Sequence, residues 1–179
     1  MKIKEILKSK VQVQKVRTEG WVKTRRGGKN VSFIALNDGS TINNIQVVAE
    51  SSSFNEEILK NINTGTCICV SGKIVPSKGD GQAVEILASN IKILGESNSE
   101  EYPLQPKKHS LEFLREKAHL RLRTNTYSAV FRIRHSLTFA VHKFFNDKGF
   151  FNIHTPIITS TDAEGAGEQF RVTTLNPKN

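Results

Sequence analysis

At 179 residues and 20.0 kDa the chain can hold one large domain or two small ones, each with a real hydrophobic core. Its 26 Lys and Arg against 17 Asp and Glu leave a net charge of +9 and a pI near 9.7, which fits either a polyanionic partner or a merely basic, soluble surface. Cys67 and Cys69 stand too close for an ordinary disulfide within a strand and are too few for a closed zinc site; no run approaches the ~18 apolar residues of a membrane span, so a cytoplasmic protein with no membrane partner is expected.

The first 95 residues read as short strands separated by turn chemistry. Val11 to Val16 alternates with period two, and Glu19 to Thr24 continues it after Gly20, a residue that suits a bend or bulge. Arg25 to Asn30, with paired glycines, reads as a hairpin connection, followed by strands Val31–Leu36 and Ile45–Val48 around the turn Asn37–Ser40. Ser53-Phe-Asn-Glu56 reads as a capping box that opens a short helix through Ile58, Leu59 and Ile62, closed by Gly65. Two further strands, Cys67–Val75 and Val84–Ile93, flank the loop Pro76–Gln82. Three strands, a helix and two strands is the order of an all-β OB-fold barrel; an SH3-like barrel or small sandwich is the alternative, and the helix position favours the OB-fold.

Residues 96–124 read as a linker or hinge, polar at first and carrying two prolines, with a short helix over Ser110–Glu116. From Tyr127 to Lys148 an apolar stripe through Val130, Ile133, Leu137, Val141 and Phe144 predicts a helix of about six turns, stopped by Gly149, whose one apolar face needs a partner. Phe150–Ser160 has strand character, with Pro156 tolerable at an edge or bulge, and 162–168 is a small-residue acidic loop. Residues 125–179 thus read as the start of a second domain whose remainder lies elsewhere.

On the barrel, Arg25, Arg26 and Lys29 cluster in sequence around Trp21, Phe33 and Gln46: cations for phosphates, an aromatic plane for a base, an amide for its edge. The competing reading makes Trp21 and Phe33 core residues and the arginines solvated turn residues. Cys67 and Cys69 lie on one face of a strand without further ligands and read as small buried hydrophobes, and the five histidines lack metal-ligand spacing, so no metal site is expected. Gly165-Ala-Gly167 lacks the third glycine and the lysine of a phosphate loop. Glu164 and Glu168 can pair with an ammonium group, or belong to a plain solvated loop.

The run Lys148-Gly-Phe-Phe-Asn-Ile-His-Thr-Pro-Ile-Ile158, preceded by the long helix, resembles motif 1 of the class II aminoacyl-tRNA synthetases. With an OB-fold ahead of it, the chain is similar to the aspartyl, asparaginyl and lysyl subgroup. Tyr102–Thr124 and Thr161–Phe170 are most similar to the asparaginyl enzymes of bacterial type; where aspartyl enzymes usually carry Leu-Asp-Leu-Arg, this chain has His119-Leu-Arg-Leu122.

The resemblance implies an α+β catalytic domain, of which residues 125–179 are the truncated start, after an anticodon-binding domain over 1–95 and a hinge over 96–124. It implies that Phe33 stacks on an anticodon base, that Gln46 bonds the central uridine, that Arg25 and Arg26 contact the stem-loop backbone, and that the Pro76–Gln82 loop and Glu85 approach the third base. Glu164 would bind the α-ammonium of the amino acid, and Pro156 and the long helix would form a homodimer interface. The implied partners are tRNA(Asn), asparagine and ATP, with Mg2+ brought by ATP. Motif 2 needs a Phe-Arg-x-Glu arginine, which neither Phe131-Arg132 nor Phe170-Arg171 supplies, and motif 3 is matched only loosely, so no catalytic residue is expected in this stretch. The chain alone is therefore expected to bind neither ATP nor magnesium and to be inactive. Competing expectations are an aspartyl enzyme, including one that charges both tRNAs, and a non-catalytic OB-fold dimer that binds single-stranded nucleic acid.

Overall fold

The structure, a computed structural model, describes residues 1–9, 14–28, 30–79, 81–160 and 170–175. The chain divides into two compact units, Met1–Ile133 and Arg134–Asn179. The first is built on β1 (Lys15–Gly27), β2 (Val31–Asn37), β3 (Ile45–Glu50), β4 (Cys67–Pro76) and β5 (Val84–Gly95), closed as β1-β2-β3-β5-β4 with β4 returning to β1. All pairings are antiparallel except β3 with β5, where Val47 faces Ile86 and Val48 faces Leu87. This is the expected five-stranded OB barrel.

Alternation along the strands fills the interior: Val16, Val22, Ile34, Leu36, Val47, Ile68, Val70, Ile74 and Ile86 are all buried. Closure depends on one glycine in particular. The β4–β5 register slips between Ser71 and Gly72, and a Cβ on Gly72 would lie 2.2 Å from the Leu87 carbonyl oxygen. Thr18 also points inward and is buried, and its hydroxyl has no hydrogen-bond partner among the described residues.

Two short helices seal the barrel. In α1 (Ile3–Ile6), Ile3 and Ile6 are fully buried, while the Asp38–Ser40 turn caps the helix from outside: Asp38 Oδ2 accepts from Ile3 N at 2.9 Å and Ser40 Oγ from Lys4 N at 3.0 Å. Burial pushes the Asp38 carboxyl up, but hydrogen bonds from the Ser40 hydroxyl and from the Ile3 and Ser40 amides together hold it below its ordinary value. The sequence reading assigned no helix here. In α2 (Glu56–Lys60), Leu59 is buried, as is Ile62 just beyond the helix. Its cap is Asn55, whose side chain accepts from Glu57 N, whereas Ser53 lies in a 3-10 turn and the expected capping box does not form. Asn61, and not Gly65, ends the helix.

The hinge residues pack onto the barrel. Gly65 has φ +91°, and a Cβ there would sit 2.8 Å from the Tyr102 ring. The Arg123 guanidinium lies 4.8 Å from the Trp21 ring centroid and donates to Tyr102 OH at 3.2 Å, while Lys23 Nζ donates to the Arg123 carbonyl. Burial, helped by the Arg123 charge, pulls the Lys23 ammonium below the ordinary lysine value. The short helix expected over Ser110–Glu116 forms as α3 (Leu111–Glu116), with Ser110 as its cap and Leu114 buried.

The long helix, α4 (Asn125–Asp147), forms where the apolar stripe predicts it, and Gly149 follows at φ +85°. Ile133, Leu137, Phe144 and Phe145 remain about half exposed or more. The strand expected over Phe150–Ser160 does not form; a strand needs a ladder partner, and among the described residues none pairs with this segment.

Candidate nucleic-acid interface

The hairpin connection is shorter than the sequence suggested, because Arg25, Arg26 and Gly27 are not loop but the end of β1, paired with Ile34, Phe33 and Ser32. Gly28 N donates to Val31 O at 2.8 Å and closes the hairpin. A bulge lies between Val22 and Thr24, and not at Gly20 as the sequence suggested: Val22 faces Leu36 while Thr24 already faces Ala35, so Lys23 is the extra residue. That insertion reverses which residues of β1 point outward. Before it Trp21 is outside and Val22 is core; after it Arg26 stands beside exposed Phe33, while Arg25 faces core-directed Ile34 and reaches only the half-buried rim.

The outer face of β1, β2 and β3 therefore carries two cross-strand rows. Arg26, Phe33 and Val48 form one; Thr24, Ala35 and Gln46 form the next. Phe33 is 39% exposed, on the surface and not in the core, and Arg26 is open to solvent. Gln46 is half-buried because its side chain lies against Glu85: Nε2 donates to Glu85 Oε2 at 3.0 Å. Glu85, despite its charge, is buried on β5, and its Oε2 also accepts from Ser77 Oγ at 3.2 Å. Glu85, between core-directed Val84 and Ile86, thus lies on the outer side of β5 beside Gln46.

Trp21, grouped with Phe33 from sequence, sits four residues away along the ladder, opposite Asn37, with Arg123 over its ring, and belongs to the hinge contact. Lys29 and Glu164 lie outside the described residues, and Pro156 lies in the exposed segment after α4. Cys69 is buried, as expected of a small hydrophobe, and Cys67 is half-buried; Arg17 covers Cys69, its Nε 3.2 Å from Sγ. Burial and the nearby Glu19 carboxylate push the Cys67 thiol up, so it stays protonated near neutral pH. Ser77 and Gln82 entered the sequence reading only as part of the Pro76–Gln82 loop: their bonds to Glu85 and Gln46 carry no signal until the fold brings β3 and β5 together.

A cation, an exposed aromatic ring and an amide in adjacent rows on the β1–β3 face of an OB barrel are what single-stranded RNA recognition requires. Family comparison agrees at both ends of the chain. Residues 16–94 match the OB-fold nucleic acid binding domain, and residues 110–179 match the tRNA synthetases class II (D, K and N). Over residues 110–179 the chain belongs to this class II synthetase family. It is 58% identical over 181 residues to the asparagine–tRNA ligase of Cytophaga hutchinsonii, with 100% of this chain and 39% of that protein covered. It is equally 58% identical to the asparagine–tRNA ligase of Parabacteroides distasonis, covering 98% and 37%. The chain therefore spans about two fifths of the length of the curated relatives it matches. The fold is shared with the crystal structure of asparaginyl-tRNA synthetase from Pyrococcus horikoshii complexed with asparaginyl-adenylate, at TM-score 0.80 and 22% identity, over 93% of this chain and 38% of that one. The Entamoeba histolytica asparaginyl-tRNA synthetase in complex with asparaginyl-adenylate gives 0.74 and 21%, over 86% and 37%.

Proposed function

We propose that this chain is the anticodon-reading and early catalytic portion of an asparagine–tRNA ligase, which joins asparagine to tRNA(Asn) at the expense of ATP. The observation that carries the proposal is the outward strip of Arg26, Phe33 and Gln46 on a barrel that belongs, over its whole length, to a chain 58% identical to asparagine–tRNA ligases. In this reading residues 1–95 bind the anticodon, 96–124 are the hinge, and 125–179 begin the catalytic domain. Phe33 stacks on an anticodon base, Gln46 bonds the central uridine, and Arg26 and Arg25 neutralise backbone phosphates. Glu164 holds the α-ammonium of asparagine. The apolar stripe of α4 and Pro156 are covered in a homodimer.

ATP-dependent activation places in-line attack of the asparagine carboxylate on the α-phosphorus, a step governed by positioning and by neutralisation of phosphate charge. Among the described residues no group of three or more His, Cys, Asp or Glu comes together, so no magnesium ligand is assigned and no step is derived through the metal. No helix among the described residues is long and apolar enough to cross a membrane, and the reading places the protein in the cytoplasm, where tRNA is charged.

The experiment is ATP–pyrophosphate exchange and tRNA charging by the whole protein with asparagine and, separately, aspartate. Exchange with asparagine and charging of tRNA(Asn) are expected. Preferential activation of aspartate would overturn the assignment, and tRNA binding insensitive to salt would overturn the role of the basic face.

A further inference from the structure

A glutamine that reads a base works only if its amide is held the right way round, because turning the side chain over exchanges its acceptor for its donors. Around Gln46 the fold supplies such a constraint. A carboxylate only accepts hydrogen bonds, so the amide group that faces Glu85 must be the nitrogen, and Nε2 lies 3.0 Å from Glu85 Oε2. The carboxylate is held in turn by the β4–β5 loop. Ser77 Oγ lies 3.2 Å from the same Oε2; it also accepts from Gly79 N at 3.3 Å, with Gly79 O equally 3.3 Å away. The backbone of Gln46 is fixed as well: its N–H donates to Gln82 Oε1 at 3.3 Å, one residue before β3 takes up its pairing with β5 at Val47.

We infer that Ser77 is a positioning residue for anticodon specificity. By holding Glu85 it locks the Gln46 amide with its oxygen turned away from the carboxylate, so the recognition face presents an acceptor to the base. A uridine meets this acceptor with its N3–H donor. A cytidine brings an unprotonated N3 to the same point, and two acceptors then face each other. The inference deepens the anticodon reading above and rests on it. It adds that a loop serine, which need not touch RNA, sets which pyrimidine is accepted.

The test is titration of the 179-residue chain with two anticodon stem-loops, one carrying GUU and one GCU, using the wild type, Ser77→Ala, Ser77→Thr, Glu85→Gln and Phe33→Ala. The wild type is expected to favour the uridine RNA by roughly 5- to 150-fold. Ser77→Ala should cut that ratio about fivefold or more, and Ser77→Thr, which keeps the hydroxyl, should restore it. Glu85→Gln, whose amide can donate as well as accept, should lower the ratio in the same way. Phe33→Ala should weaken both RNAs and leave the ratio in place, because stacking tolerates sequence. Equal binding of the two RNAs by the wild type would overturn the anticodon reading and the inference with it. A uridine preference in the wild type that survives intact in Ser77→Ala would overturn the positioning role alone.

Discussion

Replacing Phe33 by alanine separates an RNA-binding ring from a core ring, and the structure sets the size of both effects. The side chain is 39% exposed and lies between Arg26 and Val48 in the cross-strand row. With about 150 Å² at stake for a fully buried phenyl group and ~25 cal/mol per Å², partial burial of this kind is worth at most about 2 kcal/mol, and nearer 1 once residual burial in the unfolded chain is counted. A core phenylalanine would cost about 3–5 kcal/mol. Loss of a stacking plane should weaken RNA binding by about 1–3 kcal/mol, or roughly 5- to 150-fold in Kd. Fluorescence titration with the GUU stem-loop and thermal melting of the same samples measure the two quantities. Expected is a large rise in Kd with a melting temperature lower by roughly 4–8 °C. Unchanged affinity with a core-sized loss of stability would show that Phe33 serves the barrel and not the ligand.

Four further outcomes follow from the fold. Gly72→Ala should destabilise the barrel by about 1–3 kcal/mol or more, read by urea denaturation, because the new methyl group meets the Leu87 backbone at 2.2 Å and backbone cannot step aside as a side chain can. Thr18→Val should leave stability unchanged or raise it by about 1 kcal/mol in the same assay, since a buried hydroxyl without a partner is replaced by a methyl group of like size. Asp38 has its folded-state carboxyl below the ordinary 3.8, so its stabilisation is fully present above that value and is lost as pH falls through the lower folded value; the stability gap between wild type and Asp38→Asn should be flat near neutrality and close in that acid window. Arg123→Ala should speed amide hydrogen exchange across residues 98–124 while β2 and β3 keep their protection, because the guanidinium joins Trp21 to Tyr102.

The barrel was legible because its information is periodic: burial alternates through the first half of β1 and through β2 and β3, and the helix between β3 and β4 distinguishes the OB-fold from other small barrels. The long helix was legible for the same reason. What could not be read was fixed by partners distant in sequence. The four-residue α1 has too few turns to declare itself and exists because Ile3 and Ile6 are buried in the barrel and a turn some 35 residues away caps it. The Ser53 capping box was locally sound but lost to Asn55, and the apolar run after Gly149 has strand chemistry without a strand to pair with. Cys69 was legible as a buried small hydrophobe, but not that Arg17 is what covers it. Gln46 and Phe33 were legible as types of side chain, whereas the Glu85–Ser77 support was not, because its members sit 31 to 39 residues from Gln46 and meet only after closure.

The bulge at Lys23 ties these strands to function. Without the bulge, the alternation set by Trp21 and Val22 would continue along β1, turning Arg25 outward opposite Phe33 and Arg26 toward the interior, so the cation beside Phe33 would be Arg25 and every later pair of β1 with β2 would shift by one residue. With it, one strand serves two surfaces. Its first half keeps Glu19 and Trp21 beside Cys69 and Cys67, where Trp21 receives Arg123; its last residues deliver Arg26 to the outer row beside Phe33. The inserted residue is itself the junction, for the Lys23 ammonium donates to the Arg123 carbonyl and its own carbonyl accepts from Thr64 Oγ at 3.4 Å. A contact that pins Lys23 therefore also pins the register that points Arg26 outward. The Arg123 contact and the pairing of Arg26 with Phe33 are consequences of the same irregularity in β1, and a change that irons out the bulge should disturb both together.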